Sequence, residues 1–80
     1  VKLFPQPAND QITVNCYSNN NMLSRIKIYS IDGICLLEKE ISLKEGPNQF
    51  QLDISNLSKG VYNCIINLGF SLAHSKLEVY

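Results

Sequence analysis

His74 is the only histidine of the sequence, and no cysteine or carboxylate stands around it at the spacing a metal site uses. It falls in a stretch that reads as a turn, where a solvated side chain is the ordinary outcome. The serines and aspartates lack a Gly-x-Ser-x-Gly elbow, and no second histidine exists to act as a base. Glu38 and Glu40, spaced i, i+2, would share one face of a strand, as a pair of acids in glycoside hydrolysis must. With Lys39 between them, a solubilising strand edge is the simpler reading. No catalytic residue, cofactor site or metal site emerges, so the chain reads as a non-enzyme.

Three cysteines remain. Cys16 and Cys64 occupy the positions in a strand order that an immunoglobulin domain joins by its inter-sheet disulfide, and Tyr62 stands two residues before Cys64. A Cys16–Cys64 bridge is geometrically conceivable, with Cys35 left unpaired. The sequence has no tryptophan to pack against such a bridge. The other reading is that all three cysteines are small apolar residues filling strand positions.

The elements that must position these groups are strands throughout. Val1 to Phe4 forms a short first strand, halted by Pro5 and Pro7, whose rings remove ladder donors. Gln11 to Tyr17 alternates, with Ile12, Val14 and Cys16 on one face. After the polar loop Ser18 to Asn21, the third strand runs from Ser24 to Ser30 with Ile26 and Ile28 inward. Asp32-Gly33 then predicts a two-residue hairpin turn of the primed type, leading into a fourth strand from Ile34 to Ser42. Gly46-Pro47 closes the link to a fifth strand, Asn48 to Ile54, with Phe50, Leu52 and Ile54 inward.

The polar corner Ser55 to Gly60 opens into the most apolar strand, Val61 to Leu68, where Tyr62, Cys64, Ile66 and Leu68 share a face. Gly60 suits the corner's backbone, Leu57 plugs the end of the core, and the Tyr62 hydroxyl is placed to tie down the turn before it, as a tyrosine corner does. Gly69 to His74 turns the chain into a last strand, Ser75 to Tyr80. Seven short strands without any helical period predict an all-β fold, a seven-stranded antiparallel immunoglobulin-like β-sandwich.

Eighty residues make one domain with a thin core, since a chain near this size buries only about 60–65% of its unfolded surface. Seven basic and seven acidic residues cancel, which removes the electrostatic reason to bind nucleic acid or an anionic membrane. No stretch approaches a membrane-spanning helix, and Val1 to Pro5 has no feature of a signal peptide. Without an initiator methionine, the sequence reads as a piece of a longer polypeptide that ends in a strand.

Four segments in order carry a resemblance: Leu3 to Asp10 with its Pro5-x-Pro7 element, Ile26 to Gly33, Leu52 to Tyr62 with its Gly60-x-Tyr62 element, and Lys76 to Val79. Together they resemble the C-terminal sorting domain of type IX secretion substrates, the type A sorting domain or Por secretion system tail, over nearly the whole chain. The family's motifs map onto Pro5, Pro7, Gly60, Tyr62 and Lys76. Gln6 stands where the family usually has asparagine, and the last strand carries one lysine where many members have two.

The resemblance implies a folded address at the end of a longer secreted protein from a Bacteroidetes-type bacterium. Such a domain crosses the inner membrane with an N-terminal cargo and is recognised in the periplasm by the outer-membrane secretion machinery. Its destination is the cell surface or the medium, and a sortase-like protease commonly removes it there. Edge-strand docking fits a neutral sandwich, either to the machinery or to a second copy as a homodimer. The competing reading is an immunoglobulin-like or fibronectin-like binding or adhesion module of a secreted enzyme, which predicts an aromatic platform drawn from Tyr17, Tyr29 and Phe70.

Overall fold

The alternation of apolar and polar residues becomes seven strands in the computed structural model, which describes residues 2–4, 10–69 and 71–79. They are β1 (Lys2–Phe4), β2 (Gln11–Ser18), β3 (Met22–Ser30), β4 (Cys35–Leu43), β5 (Gly46–Asp53), β6 (Gly60–Asn67) and β7 (Leu72–Val79). All pairings are antiparallel, in a three-stranded sheet of order β1-β2-β5 and a four-stranded sheet of order β4-β3-β6-β7. This is the expected all-β immunoglobulin-like sandwich, with the fourth strand beside the third rather than beside the fifth. The expectations placed on Pro5, Pro7 and Phe70 fall outside the described residues.

The core lies between the sheets. Leu3, Ile12, Val14, Cys16 and Leu52 from the smaller sheet meet Ile26, Ile28, Ile41, Leu43, Cys64, Ile66, Leu77 and Val79 from the larger one, all buried. Phe50, Leu57 and Leu68 pack against this cluster from its margins. These are the inward positions that period-two alternation assigns, and burying each such side chain stabilises the fold by about 1.5–3 kcal/mol before chain entropy is counted. Among the polar residues, Ser24 is buried on an inner face, where its hydroxyl donates to the Asn67 carbonyl of the neighbouring strand β6.

Several strand ends shift by one or two residues, and three boundaries differ for a physical reason. The hairpin after β3 forms, but its loop has three residues. The Gly33 N–H donates to the Ser30 carbonyl at 3.0 Å, the Ser30 N–H donates to the Ile34 carbonyl at 2.8 Å, and only Gly33 takes a positive φ, +88°. That is a type I turn closed by a left-handed glycine, which spares Asp32 the positive φ that a primed turn would demand. The extra loop residue is absorbed by a bulge between Ile28 and Tyr29, whose partners Leu37 and Cys35 skip Leu36. Beyond it the strands return to the register that a two-residue turn would have set.

Gly46 and Pro47 belong to β5 itself, paired with Ser18 and Tyr17. Proline is tolerated there because β5 is an edge strand. The last strand starts at Leu72 rather than Ser75, so His74 stands in β7 opposite Ile65 and not in a turn. Its side chain is exposed all the same.

Candidate functional site

The corner before β6 is built by local hydrogen bonds. The Leu57 N–H donates to the Ile54 carbonyl at 2.9 Å, and the Ser55 N–H donates to Asp53 Oδ1 at 2.9 Å. That donor, with the Ser55 side chain, holds the Asp53 carboxyl below its ordinary range. The Tyr62 ring is buried at 6% exposure, and its hydroxyl donates to the Ser58 carbonyl, four residues back. Gly60 has φ +158°, just inside the range that side-chain-bearing residues rarely adopt, and a Cβ there would meet only the Tyr62 ring, at 3.9 Å. Gly60 and Tyr62 therefore have a complete structural role as a tyrosine corner.

This corner lies at one pole of the sandwich. The pole gathers Phe4 at the end of β1, Asp10 before β2, the β3–β4 hairpin, the end of β5, the start of β6 and the end of β7. The Ile54 N–H donates to the Asp10 carbonyl at 2.8 Å, joining two of those segments. Gly60 pairs with Val79 and Tyr62 with Leu77, so the corner also anchors the final strand.

Lys76 lies apart from the corner, on the outer face of β7 beside Asn63 of β6. Its Nζ is 3.4 Å from Glu78 Oε1, with both side chains well exposed. The structure thus brings Gly60 and Tyr62 together and sets Lys76 one register position from Leu77, the partner of Tyr62, but on the outer face of β7. Cys16, Cys35 and Cys64 are free thiols, with Cys16 and Cys64 buried and Cys35 exposed. The Cys16–Cys64 bridge is not formed, and both residues act as small core fillers. Burial raises the Cys16 thiol and pushes Cys64 up to about 12. Among the described residues no group of three or more His, Cys, Asp or Glu side chains could hold a metal ion.

The four sheet edges are treated differently. β1 has three residues, and β5 carries Pro47. β4 is bulged at Leu36, and Lys39 pairs with fully buried Ile26, which puts a charge on its inward face. The smaller sheet is one strand narrower, so Lys39 is left in solvent and its charge helps to lower Asp53. Short length, proline, bulges and inward charges are each devices that stop an edge from pairing with another chain. β7 is eight residues long and regular, and its inward side chains are Ala73, Ser75, Leu77 and Val79. Among its described residues it has none of these four, and its charges, Lys76 and Glu78, stand on the outer face.

Composition alone marked Glu38 to Glu40 as an exposed edge, but it did not show that Lys39 faces inward. Counting the register outward from the Asp32-Gly33 hairpin would have found it, since Lys39 opposes Ile26 in the regular part of that hairpin. A family model described as the secretion system C-terminal sorting domain matches residues 2–79. No curated protein and no solved structure matches the chain.

Proposed function

This chain belongs to the secretion system C-terminal sorting domain family, and from that premise we propose that β7 is the element the secretion machinery reads, by strand addition to its open edge. Membership makes the domain a type IX secretion sorting signal, whose work implies an N-terminal cargo, contact with the secretion machinery and delivery to the cell surface or medium. A sorting role points to a non-catalytic domain.

The finer reading is as follows. Residues 1–80 act as one domain placed last in a longer secreted protein, and they travel with the cargo through the periplasm. There β7 docks on the outer-membrane machinery, and a sortase-like protease acts on the domain afterwards. The observation that carries this reading is the contrast among edges: among the described residues β7 alone is neither short, bulged, interrupted by proline nor charged on its inward face. Backbone pairing needs little from any one side chain, which agrees with an exposed Lys76 that stands beside Glu78 on the same strand. A homodimer through β7 would use the same edge and so compete with docking.

The binding or adhesion module has less support. Tyr17 is exposed on the smaller sheet, while Tyr29 is half-buried on the larger one, so they build no common aromatic platform. The test is to fuse residues 1–80 to the C-terminus of a periplasmic fluorescent reporter in a bacterium with type IX machinery. The fusion is expected at the surface or in the medium, with the reporter alone retained. A folded fusion that stays in the periplasm would overturn the reading.

A further inference from the structure

The β3–β4 hairpin and the start of β6 carry apolar side chains that folding does not bury. Ile31 is 76% exposed, Ile34 60%, Leu36 49% and Val61 45%. The turn itself needs only Gly33, and turn positions ordinarily take polar residues. Ser30 pairs with Tyr62, which sets Ile31 beside Val61 on the neighbouring strand. Leu36, left over by the bulge, lines a groove of about 440 Å³ with Leu37, Leu57 and Tyr62, beside the polar Glu38, Asn56 and Ser58. The four side chains thus surround the tyrosine corner at the pole where β7 ends.

We infer that this apolar pole is a second contact point for the secretion machinery, seated in an apolar-lined concavity of a machinery protein while β7 is held along its edge. The inference rests on the sorting reading above. Continuity supports it: Val79 pairs with Gly60, so a protein holding β7 to its end arrives at this pole. Charge supports a protein rather than an anionic lipid surface, because Lys59 is outnumbered here by Asp10, Asp32 and Asp53 and the chain carries no net charge, whereas interfacial binding draws on clustered lysine and arginine. Size argues against a second copy, since four side chains fall far short of the roughly 20–30 residues a side of a standard interface. A small apolar plug suits a contact that must form and then release.

Apolar surface at the opposite pole and outside β7 provides a control. Tyr17 and Leu23 are 63% and 69% exposed there. In the reporter fusion, Ile31→Thr/Ile34→Thr keeps β-branched residues at both positions, and Tyr17→Thr/Leu23→Thr removes comparable apolar surface elsewhere. The first double variant is expected to lose export at least tenfold while melting within a few degrees of the unaltered domain, and the second to be exported normally. Ile31→Asp, at the most exposed site, settles the matter should the double variant misfold, and it is expected to lose export as well. Normal export of the hairpin variants, or equal loss in the control, overturns the inference while leaving the sorting reading intact. Retention of the unaltered fusion would instead overturn the sorting reading and this inference with it.

Discussion

The two edges of the four-stranded sheet face opposite problems. β4 and β7 have nearly the same length and each pairs with one neighbour, yet β4 is bulged and turns Lys39 inward, while β7 presents Ala73 and Ser75 at its inward positions. An inward charge must be buried or left without partners if another strand adds on, so β4 repels a visitor that β7 would accept. On the proposed reading the sandwich is directional: β4 is guarded by its bulge and its inward Lys39, and β7 carries neither among its described residues, which suits a signal read along a single strand.

Moving the guard should have the largest effect. Ser75→Lys places a charge on the inward face of β7, opposite Cys64, and is expected to cut export of the reporter fusion by more than tenfold. The reciprocal change, Lys39→Val, removes the guard from β4 and is expected to give a concentration-dependent dimer in sedimentation velocity, where the unaltered domain stays smaller. If Lys39→Val sediments as the parent does, the bulge alone protects β4.

The corner supports the open edge from one end. Tyr62→Phe removes the hydroxyl that reaches the Ser58 carbonyl, a loss of about 1 kcal/mol. In a domain of this size that lowers Tm by roughly 4–8 °C. Hydrogen exchange should show the Leu77–Val79 end of β7 loosening before the Leu72 end, because Tyr62 and Gly60 pair with Leu77 and Val79.

Thiol labelling follows the same contrast. Cys35, exposed at the start of β4, should react at once at pH 8, whereas Cys64 beneath β7 should react only on unfolding. The folded Cys64 thiol holds its proton to about 12, against an ordinary value of 9.0. Its contribution to stability is therefore whole below pH 9 and is lost as the pH rises toward 12. Denaturant midpoints across that window check the sign, and Cys64→Ala should flatten the decline. The smallest effect belongs to Lys76→Gln: with the side chain exposed and the backbone doing the pairing, export should change by no more than about twofold.

Much of this was legible before any coordinates. Alternation placed Ile26, Ile28, Cys64 and Ile66 in the core, and the spacing of Gly60 and Tyr62 after a polar corner foretold the hydroxyl's return to the turn. The four ordered motifs identified the family. Local signals went wrong where two solutions share one outcome: Asp32-Gly33 suits a two-residue turn, but a three-residue loop with a later bulge gives the same distant register without a positive φ at Asp32. His74 was assigned to a turn because Gly69 and Ser71 end a strand signal, yet pairing with Ile65 extends β7 back over it. The open edge was the least legible feature, since it depends on which strands become neighbours and on the smaller sheet being one strand narrower.

The most direct measurement sets Ser75→Lys against Lys39→Ser in the same reporter fusion, with periplasmic and exported fractions read side by side and folding checked by thermal melts. Reading along β7 predicts that the first variant is retained although folded, and that the second is exported like the parent. Export of a folded Ser75→Lys fusion, or retention of Lys39→Ser alone, would contradict it.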